Sequence, residues 1–429
     1  MPDTFEETLF ETVFDTEAEG DLPGDQAVVE PKNAVTAAGS LVMTKLSDGL
    51  IDPKLVLSWL LTALGAPALF VGLLVPIREA GALLPQLWTA DRVHAMARRK
   101  WVWVTGSAGQ GAAAAVIVLA ALTLGGVAAG AVICAALAML AVSRSLCSVS
   151  FKDVLGKTVA KSRRGTVTGL AGSVASAGVI GFALLLTTGW VDRFALVVGA
   201  LSLAALLWIV AAALFSTLAE GASEAEEPGG SPLRYLALLR EDPQLVRFIA
   251  VRGLLTATAL APPFLVLMAS EAGEARFDQL GALLLASAAA SFLSSYVWGR
   301  LSDRSSRTVL IAAGALGALS LGASVVLFAL GLFGATLAVA ACLFLLMIAY
   351  HGVRSGRSTY LVDMAPTDNR AGYTAVSNTV IGVILLASGV FGALASLSGP
   401  ALPVALFAAL CVVASVIALG LNEVETPGD

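Results

Sequence analysis

A small set of charged or titratable side chains interrupts stretches of this sequence that are otherwise apolar. Pro76-Ile77-Arg78-Glu79 lies inside the apolar run 66–90, and Lys45 and Asp48 lie in the run 34–52. Arg144 closes Leu140-Ala141-Val142-Ser143-Arg144, Arg252 falls in the run 245–269, and His351 falls late in 333–353. A charge at the centre of a membrane span costs ~2.5–3.5 kcal/mol on insertion scales, so such residues face a water-filled cavity and find partners. Lys45 and Asp48 are three residues apart and share one helical face. If the first two helices are adjacent and antiparallel, Lys45 approaches Glu79 while Asp48 approaches Arg78. That cluster is a candidate site for a solute or a coupling ion. The structural alternative is an ion-pair network that only fixes the packing of the two helices.

Coupling to protons requires a carboxylate that loses and regains its proton in the working pH range. Glu79 is the candidate and Asp48 the second. A histidine in a span, such as His351, can titrate near neutral pH, although a single satisfied polar residue is the commoner case. Within the spans, the cations Lys45, Arg78, Arg144 and Arg252 outnumber the anions Asp48 and Glu79. The surplus favours a solute with an anionic group.

The elements that carry these residues follow from composition. Apolar residues make up 57% of the 429-residue chain and charged ones 13%, about half the usual charged fraction of a soluble protein. The apolar residues come in blocks of about 20, enough to span a bilayer core of about 30 Å. Backbone groups in lipid must be satisfied within their own helix, so the fold class is an all-α membrane protein. Ten of the 31 acids lie in residues 1–30, which hold no Lys or Arg. The net charge of −5 therefore belongs to the tail, and the remainder is mildly basic. Residues 1–33 read as an acidic cytoplasmic tail, disordered or folded as a short amphipathic helix on a basic loop. They lack the basic n-region and apolar core of a signal peptide.

Hydropathy peaks over 55–77, yet that choice leaves 78–90 too short to cross. The loop Gly299–Arg307 resembles one in the major facilitator superfamily, and that resemblance favours a first helix at about 34–52, an external connection through Pro53 and a second helix at about 66–90. Further runs follow at 101–123, 127–150, 165–187 and 193–217. The polar segment 218–243, with Glu224, Glu226, Glu227, Pro228, Gly229 and Gly230, reads as a linker. A second set runs 245–269, 278–300, 308–330, 333–353, 372–396 and 401–421, before a short tail at 422–429. The expectation is two six-helix halves, 34–217 and 244–421. Basic residues crowd the loops after helices 2, 4, 8 and 10, while the opposite side holds only Lys54, Arg193 and Arg276. The positive-inside rule then puts both termini in the cytoplasm of a multi-pass protein in the cell membrane.

Two loops repeat. Gly299-Arg300-Leu301-Ser302-Asp303-Arg304-Ser305-Ser306-Arg307 has a weaker copy 212 residues earlier, Asp91-Arg92 followed by Arg98-Arg99-Lys100. Arg163-Arg164-Gly165 matches Arg370-Ala371-Gly372 at an offset of 207. The pattern Gly-x-Leu-Ser-Asp-Arg-x-x-Arg after an even-numbered helix resembles the signature loop of the major facilitator superfamily. The first copy departs from it, with Leu87 in place of glycine. The resemblance covers about 34–421 and implies twelve transmembrane helices in two pseudo-symmetric halves related by an axis along the membrane normal. It also implies alternating access around a midplane site. Asp91, Arg92, Gly299, Asp303, Arg304 and Arg307 inherit by position the role of a conformational latch at the cytoplasmic ends. Arg144 resembles the family's helix-4 arginine, linked to proton transfer in the relatives. Cys147 and Ser148 replace the usual downstream Gln and Gly. Its pseudo-equivalent in helix 10 is His351. Arg252 faces the central cavity, whereas Arg354 and Arg357 are read as snorkelling to the inner headgroups.

The exclusions narrow the class. Gly156-Lys157-Thr158 does not end a phosphate loop, because Phe151 stands where its first glycine is required. Cys134, Cys147, Cys342 and Cys411 have no metal-site spacing. No nucleophile–base set appears, so an enzyme is not expected, and neither a cofactor nor a metal is implied. Helix 5 lacks the Gly-Pro pair that resembles the drug–proton antiporter hallmark. No nucleotide motif is present, so the expected function is secondary active transport of a small polar or anionic organic solute by alternating access, driven by a coupling ion, the proton first. The expected partners are that solute, the ion and the lipid bilayer, with no nucleic acid and a monomeric state. The alternatives are an uncoupled facilitator or lipid-related translocator, and a non-transporting receptor or scaffold on the same fold.

Overall fold

The computed structural model describes residues 10–12, 22, 24–85, 93, 96–222, 236–272, 279–302, 304–366 and 370–424. Among them the first half contains α1 (Gly24–Leu50), α2 (Val56–Ala63), α3 (Ala68–Leu83), α4 (Lys100–Thr123), α5 (Gly126–Thr158), α6 (Lys161–Thr188) and α7 (Arg193–Ser216). The second half contains α8 (Pro243–Ala272), α9 (Leu280–Ser302), α10 (Ser306–Ala329), α11 (Thr336–Met364), α12 (Arg370–Ala387), α13 (Val390–Ser398) and α14 (Ala401–Ala418). Nine helical spans among the described residues are long and apolar enough to cross a membrane. With the divided first crossing α1–α2, α3 and α9, the arrangement is consistent with twelve crossings. The chain is an all-α multi-pass membrane protein.

The first crossing differs from its sequence reading, and the reason is local. Pro53 has no N–H to continue α1. Asp52 then caps the turn that leads into α2: its Oδ1 accepts from Lys54 N at 2.8 Å and Leu55 N at 2.9 Å. The Asp52 carbonyl accepts from Val56 N at 2.9 Å, and Ser58 Oγ donates to the Pro53 carbonyl at 2.8 Å. The turn that ends the crossing lies further on, at 64–67, where Gly126 N donates to the Leu64 carbonyl at 2.8 Å. The eight residues of α2 between break and turn span about 12 Å. Pro53 is therefore a break near mid-depth and not an external connection. Lys54, assigned above to the outer side, is 8% exposed inside the bundle.

The second half repeats this irregularity. An offset of 207 carries Asp52 to Ala259, and there α8 is interrupted at Thr256 and at Ala261, just before Pro262-Pro263. Asp242 starts α8 by accepting from Gln244 N at 2.8 Å and Leu245 N at 3.2 Å, with Pro243 in the first turn. Irregular backbone at membrane depth is tolerated where protein buries it or where it lines a cavity.

The halves meet along α3 against α12 and α13, and along α6 against α9. Toward the end opposite the termini these seams are backbone-close. A Cβ on Gly392 would lie 2.6 Å from the Leu69 carbonyl and 3.1 Å from Gly72 Cα. Leu69 N also donates to Ser396 Oγ at 2.8 Å. On the other seam a Cβ on Gly281 would lie 2.8 Å from the Ala183 carbonyl. Small residues allow this approach, which closes that end of the bundle.

At the terminal end the charges form networks within each half. Glu220 accepts from Arg99 N at 3.0 Å and Lys100 N at 2.8 Å. Asp153 pairs with Arg99 at 2.5 Å and with Lys157 at 2.6 Å. Glu30 accepts from Ala160 N and from Arg163, both at 2.8 Å. The helix containing Glu30 starts at Gly24, inside the segment read as tail, and Phe10 is 7% exposed with the Arg163 guanidinium 5.4 Å from its ring centre. In the second half Arg307 pairs with Glu423 at 3.0 Å and donates to the Leu421 carbonyl at 3.1 Å.

Candidate functional site

Asp48, on the last turn of α1, is the hub of the first half. Arg78 of α3 donates to its Oδ1 at 2.6 Å, and Arg144 of α5 pairs with its Oδ2. The Asp48–Arg78 approach expected from antiparallel packing is present. The Lys45–Glu79 approach is not: Lys45 Nζ donates to the Thr168 carbonyl of α6 at 2.9 Å. Lys45 and Arg144 both lie within electrostatic reach of Arg354 across the bundle.

A cleft between the halves lies beside this hub. Glu79 contributes from the first half, and Arg252, Thr256, Thr258, Tyr350, Arg354 and Arg357 contribute from the second. The interrupted stretch of α8, Thr256–Ala259, lines one wall. Arg252 is 6% exposed and is held by neutral groups: Nη1 donates to Ser377 Oγ at 2.6 Å and Nη2 to Asn378 Oδ1 at 2.9 Å. Its Nε has no hydrogen-bond partner. Arg354 and Arg357 are one turn apart on α11 and also line the cleft. Both face the cleft from the stretch of α11 beyond the apolar run that ends at 353, where the helix continues to Met364. Among the described residues Glu79 has no ion pair or hydrogen bond; Arg78 and Lys54 are the cations nearest to it in charge terms.

Lys54 and Asp52 were missed as site residues. Lys54 Nζ lies 3.6 Å from the centre of the Tyr350 ring, a cation–π contact between halves. The signal for Asp52 was available: an Asp-Pro pair reads as an N-cap and first helical residue. Nothing in the sequence pointed to Ser377 and Asn378. His351 is half-buried beside the cleft, edge-on to Tyr350 with ring centres 5.3 Å apart.

The latch residues are divided by what is described. Asp91, Arg92 and Asp303 lie outside the described residues. Gly299 has open space around it, Arg304 N donates to the Leu301 carbonyl at 3.1 Å, and Arg307 joins Glu423 of its own half.

No protein-family model and no curated protein matches this sequence. Solved structures do. A POT family transporter in complex with a thioalcohol-conjugated peptide aligns with TM-score 0.69 at 11% identity, over 90% of this chain and 95% of that one. A POT family transporter in complex with 5-aminolevulinic acid gives the same TM-score, identity and coverage. The nucleoside transporter NupG aligns with TM-score 0.67 at 12% identity, over 91% of this chain and all of the other. At such identities the likeness is one of fold. The helix order, the paired seams and these alignments agree: the chain has the major facilitator fold.

Proposed function

We propose that this protein is a secondary transporter of a small organic solute bearing an anionic group, working by alternating access and coupled to protons. One observation carries the reading. A mid-depth cleft is shared by the two halves, with the unpaired carboxylate of Glu79 on one side and Arg252, Arg354 and Arg357 on the other. A solute bridging them ties substrate binding to the relative position of the halves. Glu79 is the proton carrier in this scheme, because Asp48 is already clamped by two arginines. Peptide, 5-aminolevulinic acid and nucleoside, named for the structural neighbours, are all small organic solutes. The basic loops favour cytoplasmic termini and a place in the cell membrane, and on that reading the seam closed by Gly72 and Gly392 belongs to the outer side. The protein operates as a monomer.

The test is transport in proteoliposomes with an internal pH dye, comparing wild type with Glu79→Gln. Solute-dependent proton flux that is lost in the variant supports coupling through Glu79. Solute flux without proton movement, unchanged in the variant, leaves an uncoupled facilitator. Absence of flux across a broad set of polar metabolites returns the receptor or scaffold reading.

A further inference from the structure

The charges around the cleft do not balance, and the imbalance has a definite location. Among the described residues seven cations lie in or beside the cleft: Lys45, Lys54, Arg78, Arg144, Arg252, Arg354 and Arg357. Three carboxylates answer them: Asp48, Asp52 and Glu79. The pairings are specific. Asp48 takes Arg78 and Arg144. Lys54 lies among Asp52, Glu79 and the Tyr350 ring. Lys45 is held by a backbone carbonyl. Arg252, Arg354 and Arg357 are left without a carboxylate partner among the described residues, and all three line the cleft.

Arg252 makes the case independently of this count. It is buried, oriented by two neutral side chains, and its Nε hydrogen has no acceptor among the described residues. An unpaired buried guanidinium is costly, and a planar fork of N–H donors matches carboxylate or phosphate oxygens. Water can hold Arg354, which is exposed, while the cleft is open. Closure of the halves removes that water. A counter-charge must then enter with the solute.

We propose that the cleft binds a compact solute carrying at least two negative charges, with Arg252, Arg354 and Arg357 as its anion-binding wall. The inference rests on the reading of the cleft as the solute site and narrows its substrate class to multivalent organic anions. A monovalent acid leaves two of the three arginines without a counter-charge in the closed cleft, and a neutral solute leaves all three.

The experiment is thermal unfolding of the full-length protein in detergent at constant ionic strength. The probes are acetate, succinate, citrate and the neutral succinamide. Ligand that binds only the folded state raises the midpoint by mass action. Succinate and citrate are expected to raise it by several degrees, with acetate and succinamide nearly without effect. The rise is expected to disappear in Arg354→Gln/Arg357→Gln and to persist in Lys152→Gln, an exposed cation outside the cleft. Equal stabilisation by succinamide, no stabilisation by any probe, or a rise that survives in the double variant overturns the proposal. Charge-selective stabilisation without flux in liposomes would sink the transport reading and keep the anion site. Flux of a neutral solute without charge-selective stabilisation would do the reverse.

Discussion

Lys54 and Tyr350 belong to different halves, and the Lys54 ammonium sits 3.6 Å from the centre of the Tyr350 ring. Tyr350 and Glu79 both line the cleft, and Lys54 lies beside the break in the first crossing, within electrostatic reach of Glu79. The contact forms only when the halves are close at that depth. A desolvated cation–π contact is worth ~2 kcal/mol. Lys54→Gln keeps the polarity but removes the charge, and should lower the unfolding midpoint by a few degrees. It should also shift the closed–open equilibrium of the outer end, read as a broader distance distribution between spin labels on the two halves. An unchanged distribution would mean that the contact does not report on closure.

Asp48 has the heavier structural duty. Removing the shared partner leaves both arginines uncompensated; Arg78 and Asp48 are 11% and 18% exposed and lose most, whereas Arg144 is 41% exposed and solvent screens part of its loss. Asp48→Asn is therefore expected to reduce the yield of folded protein sharply. Asp48→Asn combined with Arg78→Gln should recover part of the loss, because one orphaned charge goes with the carboxylate. If the double variant is no better than the single one, the pair does not carry the coupling assigned to it.

The Gly72–Gly392 crossing predicts a steric phenotype. A Cβ on Gly392 would meet the Leu69 carbonyl at 2.6 Å, and forced overpacking costs ~1–3 kcal/mol. Gly392→Ala should pry the outer seam apart without disturbing either half. A cysteine in place of Ser396 should then react with a membrane-impermeant thiol reagent faster than in the otherwise native protein. Equal reaction rates would show that the seam relaxes around the methyl group.

Asp52 tests the break itself. Loss of an N-cap costs ~0.5–2 kcal/mol, so Asp52→Ala should destabilise modestly while Asp52→Ser retains most of the midpoint. A loss in Asp52→Ser equal to that in Asp52→Ala would shift the role of this carboxylate from capping to its charge beside Lys54.

The sequence made much of this legible for a physical reason. Apolar runs fix the number and order of helices, so the helix that carries Asp48 and the helix that carries Arg78 had to be antiparallel neighbours. The same logic misplaced Lys54. A lysine between two apolar runs reads as a loop residue, and only the capping chemistry of Asp52-Pro53 distinguishes a mid-depth break from an external turn. That Arg354 and Arg357 line the cleft was not legible, because hydropathy ends α11 at about 353, whereas the helix continues to Met364. Their polar environment comes from α8 and α3, elements distant in sequence. The Ser377–Asn378 clamp on Arg252 is likewise a product of packing between α8 and α12, which no local pattern encodes.

The division of the first crossing has a mechanical consequence. The α2 segment rests against α8 of the opposite half, yet it joins α1 through five residues that carry no continuous helical hydrogen bonding. It works as a short lever on a pivot. In the proposed transport cycle, these eight residues tilt to admit or release the solute while the long shaft of α1 keeps Asp48 between its two arginines. The outer gate and the charge hub are thereby mechanically decoupled, although one strand of chain runs through both.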